Sequence, residues 1–584
     1  MAEKQLKKTS PRIDDFAKEK VKEESELVYS LINELLAPHK TIRDAIHKDI
    51  FVTHLETTIM DTSDFQRLRR LRQLGLTNLV YPSANNTRFE HSIGALYIAD
   101  QLVDKINRNP YPDLTVTKED RFIIRLCALL HDEGNLPFGH TLEDEGGLFD
   151  GQWSKNRIER FLGDRSDVGK AILDYHVLKR LYQLGRTRFK PENVINEIRE
   201  VLAAIEARKE GKKVEQLPRP YIADIVGNTI CADLVDYSKR DIYFTGLTAG
   251  FDERFLSYVY VTKVNNKYRL VFRLIKPKTG ERRRDVLSEL MDLLRVRYSL
   301  AEKVYYQKTK MIASAMLISA VTSMVQEHKL SADMLYNMDD DTLLEYMFNE
   351  GTEVARHLVK HLRERRIYKI VYDLSYSEPG LTRPETDKKS EIIEELIHPD
   401  KRYRKERMLE SMNSSSSVVE KNPGAIVIYC PEGKMGAKEV EALVDWGTGK
   451  GPLKEIGDER IRNEIRTSIT EKHLELWKML VVVDPELPDI ERSYVNGDCE
   501  ELFGLPSASK TYKAKLHIHY VDRHAIRFER ENSVRLLRED VDGIKAQLPT
   551  RGPERSEVIS YDEFSREIGN MSATKKDAYE RGKS

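Results

Sequence analysis

The stretch CALLHDEGN, residues 127–135, carries an apolar run into a histidine and an aspartate and then turns at a glycine. An apolar helix that enters a core has little reason to end on two polar residues such as His131 and Asp132. Both side-chain types are common metal ligands. The pair alone is weak, since a histidine at a helix C-terminus also interacts favourably with the helix dipole. It indicates a site only together with residues from elsewhere in the chain.

Two other segments supply such residues. The segment TRFEHSIGALYIADQL (87–102) places Arg88 three residues before His91, on one face of a helical turn. In ICADLVDYSKRDIYFTGL (230–247), a single helical stripe carries Asp233, Tyr237 and Asp241. Carboxylates on a buried stripe need partners, because an unpaired buried charge is costly. A cation satisfies this need, and we predict that it is held by His91, His131, Asp132 and Asp233.

Composition excludes several classes of protein. The chain of 584 residues has 95 basic and 96 acidic side chains, so no overall field draws it to nucleic acid or to an anionic membrane. Nucleic-acid binding as a main role is therefore not expected. The four cysteines are scattered, which favours reduced thiols over a disulfide framework or a cysteine zinc site. Without a signal-like or membrane-spanning apolar run, the sequence predicts a cytoplasmic protein.

Periodicity predicts a mainly α fold. The segments TSDFQRLRRLRQLG (62–75) and TKEDRFIIRLCALLHDEG (117–134) have helix caps at Thr62 and Thr117 and glycine ends. A small β-hairpin should turn at Asn265–Asn266, and β-type runs occur at 424–430 and 477–483. We expect a flexible segment at 1–39, a helical domain at 40–365, a mixed α+β C-terminal lobe at 366–545, and a flexible tail at 546–584.

The order H…HD…D resembles the HD superfamily of metal-dependent phosphohydrolases. The segments MDTSDFQRLRRLRQLGLTNLVYPSANNTRFEHSIGALYIA (60–99) and ALLHDEGNLPFGHTLED (128–144) are most similar to the deoxynucleoside triphosphate (dNTP) triphosphohydrolases, and among them to the catalytic core of the SAM-and-HD-domain enzymes. The likeness runs from about Lys40 to Lys310, and no SAM domain is expected before it. It implies an HD-superfamily helical domain that cleaves a dNTP to deoxynucleoside and intact triphosphate.

The resemblance also implies individual roles. The metal ligands would hold Mg²⁺, Mn²⁺ or Fe²⁺, with Zn²⁺ as a further option. Arg88, His140 and Asp233 would take part in catalysis. The substrate would contact Gln73, Leu74, Arg88, Tyr237, Asp241, Arg297 and Tyr305, with Tyr237 crowding the 2′ position and Asp241 binding the 3′-hydroxyl. Structural readings compete, because His140 can cap a loop, Tyr305 can be a core aromatic and Arg297 can form an exposed salt bridge.

The chain departs from the family pattern near the HD pair. Asn135 stands where a histidine of the proton-delivery machinery is usual, and Leu234 stands where the animal enzyme has a lysine. An asparagine cannot deliver a proton, so the general acid for the leaving 5′-oxygen is left to His140 or a metal-polarised water.

Two other functions stay open. One is a phosphodiesterase or nucleotidase that acts on another phosphate ester, although such an enzyme has no reason to keep Arg88, Gln73 and the Tyr237–Asp241 pair. The other is a nucleotide sensor without turnover, although a sensor has little need of a complete metal centre.

The resemblance finally implies an allosteric nucleotide site. Its residues would be Asp61, Gln66, Arg69, Tyr81, Arg254, Arg269, Arg273 and Lys308, with the first three reading a guanine edge. In the family, activators such as GTP, dGTP or another dNTP lie between subunits and drive assembly of a homotetramer. Arg43 and Asp49 depart from the family's asparagine and histidine near this site. By analogy, depletion of dNTPs would serve antiviral defence.

Overall fold

The computed structural model describes residues 13–149, 154–209, 216–375, 382–431, 441–467 and 472–508. The expected tail at 546–584 lies outside these residues, and so does the end of the expected C-terminal lobe. Most of the segment expected to be flexible at 1–39 is a helix, Ile13–Leu36, whose Val28, Ile32 and Leu35 are buried. Within the described residues, no helix combines the length and the apolar composition needed to cross a membrane.

Helices dominate the first half of the chain. They are α1 (Ile13–Leu36), α2 (His54–Met60), α3 (Ser63–Arg67), α4 (Arg88–Asn107), α5 (Lys118–Leu130), α6 (Lys155–Leu162), α7 (Asp167–Leu173), α8 (His176–Gln183), α9 (Pro191–Lys209), α10 (Pro220–Val226) and α11 (Ala232–Thr245). Between α1 and α2 lies an antiparallel hairpin of β1 (Pro38–Asp44) and β2 (Lys48–Thr53). Short 3₁₀ turns occur at Leu68–Arg70, Gly75–Leu79, Thr187–Phe189 and Glu253–Tyr258, and a π-helical turn at Thr141–Glu145.

The rest of the chain, from residue 246 onward, adds two sheets. Its helices are α12 (Arg284–Leu300), α13 (Lys308–Gln326), α14 (Ala332–Leu335), α15 (Asp340–Glu350), α16 (Glu353–Arg363), α17 (Arg383–Leu396), α18 (Pro399–Met412), α19 (Ser417–Lys421), α20 (Glu459–Ile465), α21 (Lys472–Glu475) and α22 (Asp489–Phe503). Its strands are β3 (Val259–Val264), β4 (Lys267–Arg273), β5 (Lys369–Ser375), β6 (Ile426–Tyr429), β7 (Leu443–Asp445), β8 (Lys450–Pro452) and β9 (Lys478–Val483). A π-helical turn at Ala301–Tyr305 links α12 to α13, and a 3₁₀ turn lies at Leu453–Glu455.

The predicted hairpin is confirmed, since β3 pairs antiparallel with β4 and turns at Asn265 and Asn266 with positive φ at both. This is the backbone of a type I′ turn, which asparagine tolerates. The hairpin extends into a four-stranded sheet of order β3-β4-β7-β8, so strands far apart in sequence share one sheet. The β-type runs at 424–430 and 477–483 form β6 and β9, which pair with β5 in order β5-β9-β6. The mainly α fold class with small β elements is confirmed.

The three-stranded sheet is buried on both faces. Alternate residues such as Leu480 and Val482 pack into the cluster around α13 and α16, while Met479 and Val481 face the cluster around α18 and α22. This alternation follows from the two-residue period of a strand. The sheet is thereby fixed between the helices of the second half.

The first two predicted helices end earlier than their glycines suggest. Thr62 caps α3 through the amide of Phe65, but the helix tightens to a 3₁₀ turn and the chain is extended at Leu71. Thr117 caps α5 through the amide of Asp120, and α5 ends at Leu130 with His131 as its C-cap. His131 therefore lies at the end of α5, as the segment 127–135 predicts.

Candidate metal centre

The predicted metal ligands lie on or next to three helices, α4, α5 and α11. Thr87 caps α4 in a reciprocal capping box with Glu90, which fixes the turn that carries His91. His131 and Asp132 follow the last turn of α5, and Asp233 lies in the first turn of α11. Contacts of α4 with both α5 and α11 bring the three segments together.

The four predicted ligands converge. The Nε2 atoms of His91 and His131 lie 3.0 Å apart, and the Oδ1 atom of Asp233 lies 3.2 Å and 3.6 Å from them. Asp132 places its carboxylate oxygens 3.7 Å from Nε2 of His91 and 3.8 Å from Nε2 of His131. The trio of His91, His131 and Asp132 forms a cluster that can hold a metal ion, and Asp233 adds a further oxygen.

The two imidazoles are oriented for a cation. Nδ1 of His131 donates to the carbonyl oxygen of Ala128 at 2.8 Å, and Nδ1 of His91 donates to Asp236 at 2.7 Å. With the proton on Nδ1 alone, each ring would turn a lone pair on Nε2 toward the other ring and toward the carboxylates. Because acceptors facing acceptors repel, the arrangement requires a proton or a cation among them. The donor set of nitrogen and carboxylate oxygen fits a divalent metal.

The pKa shifts of the same residues also indicate a site that favours a cation. Burial acts to lower the pKa of His91, but the carboxylates of Asp233 and Asp236 outweigh it and raise the pKa to about 10. Burial acts to raise the pKa of Asp132, but Arg88 and the two histidines hold it below its usual range. Both histidines likewise hold the pKa of Asp233 well below its usual value against the effect of burial. The centre is therefore rich in negative charge and favours a cation.

A buried network that the sequence analysis missed supports His91. Asp236 accepts from His91, from Nε2 of His47 at 2.6 Å and from Arg240 at 2.9 Å and 3.0 Å. Arg240 also donates to Asp44 at 2.9 Å. Asp236 and Arg240 are completely buried. Partners of this kind fix the ring orientation of a metal-binding histidine and raise its basicity.

Gly94 gives this network its space. A Cβ atom at Gly94, one turn after His91, would collide with the carboxylate of Asp236 and the guanidinium of Arg240. Gly94→Ala should therefore lower the free energy of unfolding by about 1–3 kcal/mol, although alanine is the better helix former. Urea denaturation measures this loss, with Gly250→Ala as a control at a site that has open space. Equal stability of the two variants would show that the network yields without cost.

Arg88 is buried beside Asp132. Its Nη1 donates to Oδ2 of Asp132 at 2.6 Å, and its guanidinium packs against Gly139, whose φ is positive. The next residue, His140, is exposed and pairs with Asp144 at 2.7 Å. Arg88 thus orients a proposed ligand, while His140 lies at the outer side of the same loop.

The departure at Asn135 has a structural role. Its side-chain amide donates to the carbonyl oxygen of Asp132 at 2.9 Å, and its backbone carbonyl oxygen accepts from Arg67 at 2.8 Å. Asn135 is completely buried. The asparagine therefore holds the turn after the HD pair.

A second group of predicted residues lies farther along α11. The hydroxyl of Tyr305 donates to Oδ2 of Asp241 at 2.7 Å, and Asn86 donates to the other oxygen at 3.4 Å. Burial raises the pKa of Asp241 to about 6 against these donors. Tyr237 lies between the two ends of the stripe, with its ring centroid 6.5 Å from that of His91. The aromatic rings and Asp241 thus form a wall beside the metal cluster.

Arg297, Gln73 and Leu74 border this wall. Arg297 is half-buried, and its positive charge acts to lower the pKa of both Tyr237 and Tyr305 against the effect of burial. No carboxylate among the described residues pairs with Arg297. The backbone amide of Gln73 donates to Asn86 at 2.9 Å, and its buried side-chain oxygen has no hydrogen-bond partner within the described part of the chain. Leu74 packs in the cluster that includes Tyr305. The structure thus brings the predicted substrate residues to one region.

The predicted activator residues have different partners in the structure. Asp61 and Arg69 are exposed, and Nε of Arg69 donates to Gln66 at 2.9 Å while its guanidinium stacks on Phe89. Tyr81 donates to the carbonyl oxygen of Lys303 at 2.8 Å.

The remaining activator candidates differ in their surroundings. Arg269 forms a bidentate pair with buried Asp224, and Arg273 donates to Asn109 and Tyr111. Arg254 and Lys308 are exposed. A nucleotide would therefore have to compete with existing partners at Arg269 and Arg273.

Arg43 and Asp49, which depart from the family pattern near the predicted activator site, pair with each other. Arg43 on β1 lies opposite Asp49 on β2, and its guanidinium donates to the carboxylate at 2.8 Å. Both side chains are largely exposed. The residues that replace the family's asparagine and histidine thus form a cross-strand ion pair.

Comparison with known families defines the class of this centre. The HD domain model matches residues 88–237, which contain all four proposed ligands, and the model of an HD associated region matches residues 291–413. The chain therefore contains an HD domain followed by an HD-associated region, and HD domains bind divalent metals.

Individual relatives narrow the comparison. An uncharacterized protein of Methanocaldococcus jannaschii is 32% identical over 340 residues, which cover 58% of this chain and 60% of that protein. The deoxynucleoside triphosphate triphosphohydrolase SAMHD1 homolog of Dictyostelium discoideum is 28% identical over 351 residues, 58% of this chain and 61% of the relative. Human deoxynucleoside triphosphate triphosphohydrolase SAMHD1 is 27% identical over 384 residues, 60% of this chain and 58% of the relative. The resemblance to these hydrolases is confirmed, and the chain spans less than two thirds of each relative's length.

Proposed function

We propose that the chain is a metal-dependent dNTP triphosphohydrolase that releases deoxynucleoside and intact triphosphate. The observation that carries the proposal is the position of a cation-demanding His/Asp cluster beside a wall of Tyr237, Asp241 and Tyr305. A plain phosphodiesterase needs the cluster but not the wall. The SAMHD1 relatives support the choice of substrate class.

The metal would lower the pKa of a bound water and neutralise charge on the α-phosphate. The chain's own residues would position the substrate. Arg88 holds Asp132 in place, and Arg297, which lacks a carboxylate partner among the described residues, is suited to bidentate contact with the terminal phosphate. Asp241 would accept the 3′-hydroxyl of the sugar, in competition with Tyr305.

His140 is our candidate for the proton donor to the leaving 5′-oxygen. Asn135 is buried in the turn and cannot donate a catalytic proton, whereas His140 is exposed beside the Gly139–Arg88 contact. The carboxylate of Asp144 can orient the ring. The pair replaces in function the histidine that is missing at position 135.

Incubation with each dNTP and Mg²⁺, Mn²⁺ or Fe²⁺, followed by chromatography of the nucleoside product, tests the proposal. We expect deoxynucleoside. Release of deoxynucleoside monophosphate would instead indicate a pyrophosphatase or phosphodiesterase, and tight binding without turnover would indicate a nucleotide sensor.

The sugar prediction concerns Tyr237. We expect the enzyme to cleave dNTPs and not NTPs, because the half-buried ring crowds the 2′ position. Tyr237→Ala should reduce the discrimination between dGTP and GTP by about tenfold or more, measured as a ratio of kcat/KM values. Tyr243→Ala, on the exposed side of the same helix, is the matched control. Equal cleavage of GTP and dGTP by the unaltered protein would refute the steric explanation.

We further propose that a guanine nucleotide or a dNTP activates the enzyme and drives assembly of a tetramer. The guanidinium of exposed Arg69 is anchored by Gln66 and Phe89 but keeps donors for a guanine edge. A nucleotide bound between subunits stabilises the oligomer that completes its site.

Arg69→Ala should weaken the apparent affinity for the activator by about 10- to 100-fold while metal binding is retained. Light scattering and triphosphate release, each with and without GTP, dGTP and dTTP, measure the effect. Arg108→Ala, at a highly exposed arginine that directly follows α4, serves as the control. If no nucleotide changes mass or activity, the allosteric proposal fails while the hydrolase proposal stands.

A further inference from the structure

A second cluster of metal-type ligands lies far from the HD centre in sequence. His357 and His361 are one helical turn apart on α16, and Asp484 directly follows β9. One ligand atom from each residue lies within 4.8 Å of the others. The imidazole ring centroids are 4.3 Å apart.

The separations fit a compact metal site. Oδ2 of Asp484 lies 3.0 Å from Nε2 of His357 and 3.6 Å from Nε2 of His361. In a tetrahedral zinc site with bonds of about 2.0–2.1 Å, ligand atoms are about 3.3 Å apart. Two histidines at i and i+4 on one helix face are a recurring way to supply two such ligands.

The hydrogen bonds of His361 reveal an unsatisfied atom. Its Nδ1 lies 3.0 Å from the carbonyl oxygen of His357, and because a carbonyl only accepts, Nδ1 must carry the proton. In the neutral ring, Nε2 is then a bare lone pair. That atom is buried, has no hydrogen-bond partner among the described residues, and faces a carboxylate oxygen. Two acceptors in this arrangement repel unless a cation or a second ring proton lies between them.

Asp484 is prepared to be an anionic ligand. It is completely buried, and its Oδ1 accepts from the amide of Glu486 at 2.8 Å, which leaves Oδ2 toward the histidines. Asn422 approaches Oδ2 only at 3.4 Å. His357 keeps 14% of its side chain exposed, so one side of the cluster is open to solvent.

We propose that His357, His361 and Asp484 form a second metal site, for a divalent transition metal of the zinc class. Three protein ligands and a water would complete a tetrahedral shell. The metal would tie α16, within the HD-associated region, to the central strand β9 of the three-stranded sheet. Its role is structural, because binding to the folded state alone stabilises that state.

Metal stoichiometry of the full chain tests the proposal. After removal of metals by chelation, each variant is incubated with Zn²⁺, freed of excess metal and measured by mass spectrometry. We expect about two Zn²⁺ per chain for the unaltered protein and about one for Asp484→Asn, His357→Gln and Asp233→Asn. His176→Gln, at an exposed histidine, should keep two. Asp484→Asn combined with Asp233→Asn should bind none.

Thermal unfolding separates the two sites without reference to activity. Zn²⁺ should raise the Tm of Asp233→Asn, in which the second site is intact, and should leave unchanged the Tm of the variant that combines Asp233→Asn with Asp484→Asn. His357→Gln changes a half-buried side chain and serves if Asp484→Asn fails to fold. Unchanged stoichiometry in His357→Gln, or a single Zn²⁺ that disappears in Asp233→Asn, would overturn the second site and show that a proton holds the cluster together.

Discussion

Asp233→Asn is expected to leave a folded protein in which the proposed hydrolysis of dNTPs falls by more than about 100-fold. The substitution keeps the volume but removes one anionic oxygen that lies 3.2 Å and 3.6 Å from the two imidazoles. Even the loss of a residue that only orients a metal ligand costs 10- to 100-fold, so loss of a ligand should cost more. Triphosphate release measures activity, and circular dichroism checks the fold.

Asp292→Asn is the matched control for this result. Asp292 is exposed on α12 and pairs only locally with Arg295 in the described structure, so its neutralisation should leave turnover unchanged. If Asp233→Asn retains most of its activity, the fourth ligand has been assigned wrongly.

Arg240→Met should give the largest loss of stability. The guanidinium is completely buried between Asp236 and Asp44, and methionine would leave these carboxylates without their cation. Breaking a buried ion pair by removing one partner typically costs about 3–5 kcal/mol, so chemical denaturation should show a loss of that size. Metal affinity should also fall, because Asp236 orients His91.

Arg295→Met provides the comparison at an exposed arginine, where loss of a surface ion pair should change stability little. If the two variants unfold at the same denaturant concentration, the buried network does not support the centre as described.

The cluster of His91, His131, Asp132 and Asp233 could be predicted because each residue lies in a short segment with its own local pattern. The spacing of Arg88 and His91, the helix cap at Thr117 and the stripe on α11 can all be recognised from the local sequence. Family resemblance supplies the register that joins the segments.

The supporting network could not be predicted in full. The i, i+4 spacing of Asp236 and Arg240 on α11 can be read from the sequence. Their other contacts cannot, because Asp236 meets His47 across 189 residues and Arg240 meets Asp44 across 196 residues. Position 71 also shows the limit of local patterns, since a helical periodicity continues while the backbone becomes extended. The ion pair of Arg269 with Asp224 depends on tertiary packing in the same way.

The most direct test of the central claim is hydrolysis of dGTP and the other dNTPs in H₂¹⁸O with Mn²⁺, followed by mass spectrometry of both products. Attack of water on the α-phosphorus should place one ¹⁸O in intact triphosphate and leave the deoxynucleoside unlabelled. Asp233→Asn, treated identically, should form neither product. Pyrophosphate with deoxynucleoside monophosphate, label in the deoxynucleoside, or no turnover with any dNTP would contradict the proposed reaction.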